Sequence, residues 1–213
     1  MSDDIEQGSD AWHELKIGHV GSSMLHCVLA EGKTKGSPSA TREDYMVTLL
    51  TERITGKWDE DFYSRWMERG KELEPIARSE YEARMGVMVI QDKGREHKDL
   101  HDWWSSPDGL VNLDGMTEFK CPKPKNHLNT VLKGIVKRDY LLQMAGGVTI
   151  YEREYCDFVS FCPTFPDNLQ FYRKRFYRKD LPIDEVLKAV PIFIDELNAL
   201  ESKVKELGST IPA

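Results

Sequence analysis

Apolar positions along the chain follow two spacings, one close to a helical turn and one alternating. From Asp59 to Met85, Phe62, Trp66, Leu73, Ile76, Ala77 and Tyr81 recur near one helical face. Pro75 interrupts this pattern and removes a backbone donor, so a kink or break is expected just before it. Pro182 to Leu207 reads as a closing amphipathic helix, with Val186, Val190, Ile194, Leu197 and Leu200 inward. Shorter helical patterns cover Ala11 to Ile17, after a Ser9 or Asp10 cap, and Ser22 to about Ala30, with Ser22 as cap. Another opens at Thr41, where Asp44 completes something close to a capping box, and ends at Gly56. Lys125 to Lys133 and Lys137 to about Thr149 are also helical in pattern.

Strand patterns occupy Val87 to Gln91, Asp102 to Ser106, Leu110 to Asn112, Met116 to Lys120, Cys156 to Cys162 and Asn168 to Tyr177. Pro-Asp-Gly and Asp-Gly turns separate the middle ones, and Gln91 to Asp99 reads as a charged turn. Glu31 to Ser39, rich in Gly, Lys, Ser and Pro, reads as a mobile loop. Helices, then strands, then helix, strands and helix imply an α/β (α+β mixed) fold: a central mixed β-sheet flanked by helices. With no repeat and no low-complexity linker, residues 1–213 are read as one domain.

Charge changes this picture locally. The net charge of −7 argues against a general DNA coat protein. Yet Lys120, Lys123, Lys125, Lys133, Lys137 and Arg138 fall in a stretch with no acid, as do Arg173, Lys174, Arg175, Arg178 and Lys179. A polarised acidic protein can grip a phosphate backbone on one face and repel it elsewhere. Cys27, Cys121, Cys156 and Cys162 show no Cys-x-x-Cys spacing and are read as reduced thiols, and the six histidines show no ligand spacing. No apolar run reaches a membrane span, and the acidic N-terminus lacks signal-peptide features, so a cytoplasmic location is expected.

The stretch from Ser106 to Lys120 carries the candidate chemistry. Asp108 and Glu118 are ten residues apart, which suits the two arms of a hairpin. Glu118 and Lys120 share one face of a strand, with Phe119 on the other. Two carboxylates and an ammonium in one volume suit a Mg²⁺ site with a basic group beside the attacking water. Ser-Pro-Asp-Gly alone reads as a turn, and Glu-Phe-Lys alone as a surface ion pair. Together they match the active-site pattern of the restriction-endonuclease-like nucleases, which this chain resembles.

The resemblance narrows on reading outward. Glu6-Gln7-Gly8-Ser9-Asp10-Ala11-Trp12-His13, with Leu15 and Gly18, is similar to the opening of the phage lambda exonuclease family, also called YqaJ-type viral recombinases. Gly70-Lys71-Glu72-Leu73-Glu74, Ser106 to Gly109, Glu118 to Pro122 and Tyr140-Leu141-Leu142-Gln143 match later motifs in the same order, across about residues 5 to 200.

That resemblance implies a 5′-to-3′ exonuclease acting on double-stranded DNA ends in phage recombination. It also implies a ring of three subunits, a single-strand annealing partner, and two Mg²⁺ ions, with Mn²⁺ able to substitute. By position, Asp108, Glu118, the Phe119 carbonyl and Glu74 would hold the metals. Lys120 would orient or deprotonate the attacking water, aided by proton affinity lost beside cations. Gln143 and Tyr140 would position that water and the phosphate. Lys16, where the family has Arg, and Ser23 would receive the 5′-phosphate, and Met67 would wedge into the terminal base pair.

Plainer readings stand beside these. Glu74 also suits a solvated helix face, Lys16 an exposed side chain, Ser22 and Ser23 an ordinary cap, and Met67 the core. Trp103 and Trp104 suit core or interface anchors. Phe171 to Lys179 suits a DNA channel, a subunit contact or a solvated basic edge strand. A Cas4-like or repair nuclease of the same core, and a DNA-end-binding module without catalysis, are the alternative functions.

Overall fold

A computed structural model describes residues 7–34, 39–59 and 70–210. Met67 lies outside them. The described chain contains α1 (Asp10–Glu14), β1 (Val20–Gly21), α2 (Leu25–Val28), α3 (Ala40–Thr55) and α4 (Gly70–Met85). Then come β2 (Val89–Ile90), β3 (Arg95–Glu96), β4 (Trp103–Ser105), β5 (Gly109–Val111) and β6 (Gly115–Lys120). α5 (Pro124–Lys133), α6 (Arg138–Ile150), β7 (Tyr155–Phe161), β8 (Phe171–Tyr177) and α7 (Ile183–Thr210) complete it.

The principal sheet has five strands in the order β2-β5-β6-β7-β8 and is mixed: only β6 and β7 run parallel. Parallel neighbours cannot be joined by a tight turn, and α5 and α6 make that crossover. A second, three-stranded sheet runs β1-β4-β3. β7 is buried along its whole length, which explains its nearly unbroken apolar run.

Helices cover both faces of the larger sheet. On one, Met116, Cys156, Phe158 and Phe176 pack with Leu25, Leu49, Leu142, Val190 and Phe193 from α2, α3, α6 and α7. On the other, Ala77 and Tyr81 of α4 pack on Val111, Phe119, Val159 and Phe161. Val186, Val190, Ile194 and Leu197 are buried along α7 as its periodicity predicts.

Several boundaries differ from the sequence reading. The α3 cap is Ser39, whose side chain accepts from Arg42 N, so Thr41 lies inside the first turn. Ser22 is not a cap: it opens a short 3-10 turn, and its buried hydroxyl donates to the Trp104 carbonyl. α4 continues through Pro75 without a break, and the packing of Ala77 and Tyr81 on the sheet holds the turns beyond it. The charged turn after Gln91 contains β3, whose residues pair with β4. Ser9 caps α1, and Gly56 ends α3 in the left-handed conformation (φ 63°), as expected.

Candidate active site

β5 and β6 form an antiparallel hairpin with Gly109 opposite Thr117, which sets Asp108 opposite Glu118. The Phe119 amide donates to Asp108 Oδ2 at 2.7 Å. In an extended strand a residue's N–H and C=O point to the same side, so the Phe119 carbonyl faces the Asp108 side of β6. The Phe119 ring packs under α4. Glu118 and Lys120 point to the opposite face, where Glu118 is buried at 2% exposure.

Lys120 Nζ lies 2.5 Å from Glu118 Oε1 and donates to Gln143 Oε1 at 3.2 Å. The Glu118 oxygen receives no well-aligned hydrogen bond despite its burial. The Tyr140 ring lies 5.1 Å from the same ammonium and stacks on Phe158. Tyr140 and Gln143 are three apart on α6, a spacing that puts both on one helix face.

Glu74 reaches this group from α4. Its carboxylate is half-buried, accepts from Arg78 at 2.8 Å, and is pushed up to about 7, by burial first and then by Asp108. That is not a solvated face. Glu118 is pushed up to about 8 by burial and then by Asp108. Asp108 keeps some solvent access, yet loss of hydration raises it too, against the pull of Lys120. Burial would lower Lys120, but Glu118 and Asp108 overcome it and hold the ammonium well above its ordinary value. The expected loss of proton affinity belongs to a lysine beside bound cations; without them its neighbours are the carboxyl groups of Glu118 and Asp108.

Among the described residues, no three His, Cys, Asp or Glu side chains stand close enough to enclose an ion as they lie. Lys120 and Arg78 supply the positive charge instead. The donor set nevertheless suits Mg²⁺. It is all oxygen, it is packed so that Asp108 raises both Glu118 and Glu74, and it includes a buried oxygen lacking an aligned donor.

Lys16 sits with its ammonium 3.5 Å from the centroid of the Trp12 ring and 4.4 Å from that of Trp58. It is therefore not a freely exposed lysine. Ser23 is exposed, next to buried Ser22. A side chain at Gly146 would meet Ser22 Oγ at 2.6 Å, so the turn carrying Ser22 and Ser23 packs directly on α6. Gly146 is one turn beyond Gln143, which brings that turn near the part of α6 that carries Tyr140 and Gln143.

Trp103 is a fully buried core residue, and the Trp104 indole donates to Ser106 Oγ. Cys27, Cys156 and Cys162 are buried, Cys121 is half-buried, and all four are free thiols. Sequence reasoning missed Arg78, whose i,i+4 spacing from Glu74 was the available signal. It also missed the Trp12–Lys16–Trp58 cage, where Trp58 lies far off in sequence.

The fold and this cluster define a nuclease of the restriction-endonuclease-like class. Residues 11–153 match the YqaJ-like viral recombinase domain, and the chain belongs to that family. It is similar to an alkaline exonuclease (LHK-Exo) from Laribacter hongkongensis, at 30% identity over 96% of this chain and 100% of that one, with a TM-score of 0.86. The same relative in complex with dAMP gives 31% identity over the same shares and a TM-score of 0.87. A phage related exonuclease from Haemophilus somnus 129PT shares the fold at 14% identity, covering 89% of this chain and 96% of that one, with a TM-score of 0.63. A comparison with curated proteins finds no significant match. No helix among the described residues is long and apolar enough to cross a membrane.

Proposed function

We propose that this nuclease is a Mg²⁺-dependent 5′-to-3′ exonuclease that resects double-stranded DNA ends and leaves 3′ single strands for recombination. The observation that carries it is the meeting of Asp108, Glu118 and Lys120 at one point, with Glu74 and Gln143 around them. Asp108, Glu118, Glu74 and the Phe119 carbonyl would hold two Mg²⁺, or Mn²⁺ in their place. Bound there, the ions supply charge stabilisation for the phosphate oxygens and acidify a water.

The chain's own residues do the rest. Lys120, held by Glu118 and Gln143, stands ready to orient the attacking water and to take its proton once cations replace the ammonium as counter-charge to the carboxylates. Gln143 fixes the Lys120 ammonium, and the Tyr140 ring supports it by a cation–π contact. Exposed Lys123, Lys125, Lys133 and Lys137 follow directly after β6, giving the phosphate backbone a basic track beside the cluster. Lys16, steadied by two indoles, and Ser23 receive the 5′-phosphate. A relative crystallised with dAMP fits release of mononucleotides. The reading extends to a homotrimeric ring enclosing the duplex and to a single-strand annealing partner. Met67, the wedge residue in this reading, lies outside the described structure.

The test uses blunt linear duplex labelled on either strand end, with Mg²⁺ or EDTA. Mononucleotide release from 5′ ends, requiring Mg²⁺, is expected, with a trimer in solution. Release from 3′ ends, or nicking of closed circles, would defeat the polarity; binding without hydrolysis would leave only an end-binding module.

A further inference from the structure

A cavity of about 470 Å³ opens on the α4 face of the sheet, lined in part by Tyr81, Asn112, Tyr155, Arg173, Arg175 and Tyr177. It is separate from the catalytic cluster. In register, Thr117 lies beside Asp157 and Asp157 beside Arg175, so these three share the face opposite to Glu118 and Lys120. Tyr155 pairs with Gly115, which is roughly 17 Å along β6 from Lys120 at about 3.3 Å per residue.

The floor of the cavity is a charge arrangement with one cation in surplus. Asp157, wholly buried, accepts from Arg173 Nη1 at 3.0 Å, Arg175 Nε at 2.8 Å and Nη2 at 2.9 Å, and the Tyr81 hydroxyl at 2.8 Å. Two guanidiniums share this one carboxylate, and among the described residues no acid lines the cavity. Arg173 gives Asp157 a single N–H and Arg175 two, while both side chains stay about one-third exposed (33% and 34%). Arg175 is further fixed 3.6 Å from the centroid of the Tyr155 ring. Tyr177 meets Tyr155 edge-on and leaves 48% of its surface exposed. Immobilised guanidinium donors suit a phosphate, and an adjacent exposed aromatic ring suits a base.

We propose that this cavity is a nucleotide site remote from the catalytic cluster, with Arg173 and Arg175 taking the phosphate and Tyr177 stacking on the base. The ligand is a nucleotide unit, supplied as a free deoxynucleoside monophosphate or as part of a single strand. Neither source needs the polarity or metal count of the hydrolytic reaction.

Calorimetry on the full-length protein in EDTA, titrated with inorganic phosphate, dAMP and a dT 12-mer, tests it. The natural chain is expected to bind dAMP or the 12-mer, and Arg173→Gln and Tyr177→Ser each to weaken that binding at least tenfold. Tyr177→Ser, at an exposed position, is expected to keep its unfolding midpoint, which separates lost binding from lost folding. Tighter binding of dAMP assigns the free nucleotide, and tighter binding of the 12-mer assigns the strand. Equal affinity in all three proteins, no binding by the natural chain, or phosphate bound as tightly as dAMP with no effect of Tyr177→Ser would overturn the proposal. Mg²⁺-dependent hydrolysis of a short duplex, measured in the same variants, is expected to stay within twofold of the natural chain, so a failure of the catalytic reading is seen separately.

Discussion

The Phe119 amide holds Asp108 Oδ2 at 2.7 Å, so one arm of the β5–β6 hairpin orients the carboxylate of the other. An asparagine at position 108 keeps an acceptor for that bond and loses only the charge. Asp108→Asn is therefore expected to fold, with a metal-free unfolding midpoint at least that of the natural chain. Turnover should fall by more than about 100-fold, beyond the usual loss from changing a residue that merely supports a ligand. A lower midpoint with turnover retained would show that the residue serves the turn.

Glu118 and Glu74 make metal-free stability depend on pH. Their carboxyls stand at about 8 and about 7, above the ordinary 4.5, so the folded chain binds protons that the unfolded chain has released. Stability must then fall as pH rises from 4.5 through 8. Mg²⁺ offsets the same charge, and at about 100 times its Kd it should add roughly 2.7 kcal/mol. Thermal unfolding with and without Mg²⁺ should show a larger shift near pH 8.5 than near pH 5.5. An equal shift at both would mean that the ion binds elsewhere.

Lys120 and Gln143 should separate in their kinetics. Lys120→Gln removes the group proposed to handle the proton, and kcat is expected to fall about 10²- to 10⁴-fold. Gln143→Ala frees the ammonium without removing it, so a loss of about 10- to 100-fold is expected. KM for the DNA end should move little in either. A loss confined to KM would place both residues in substrate binding.

In the proposed function, Lys16 carries the preference for phosphorylated ends. Lys16→Ala should bring hydrolysis of 5′-phosphorylated duplex down to that of 5′-hydroxyl duplex. Trp58→Leu, which removes one wall of the cage, should weaken the preference only in part, because Trp12 remains 3.5 Å from the ammonium. Persistence of the full preference in Lys16→Ala would exclude this pocket.

Asp157 is structural in expectation. Asp157→Asn leaves two guanidiniums without their carboxylate and should destabilise by about 2–3 kcal/mol, less than the ~3–5 kcal/mol of a fully buried pair, because both arginines reach solvent. Burial would raise its carboxyl, but Arg175, Tyr81 and Arg173 overcome that and hold it below 3.8. Its contribution is thus present above pH 3.8 and lost as pH falls through the lower folded value. Acid unfolding should begin at higher pH in Asp157→Asn.

Much of the fold was legible because its devices are local. The apolar run of β7 and the periodicity of α7 each follow from which face meets the core. Errors fell where neighbours in space decide. Ser22 looks like a cap until Trp104 supplies its acceptor, and Pro75 looks like a break until the rest of α4 packs Ala77 and Tyr81 onto the sheet.

By itself the sequence determined the hairpin, the shared face of Glu118 and Lys120, and the family, since turn chemistry and a period of two act over a few residues. Only the tertiary structure decided that Glu74 faces Asp108, that Gln143 holds Lys120, that two indoles hold Lys16, and that two arginines share Asp157. Those four relationships join residues from different elements, and a carboxylate's charge depends on what burial and its neighbours leave around it.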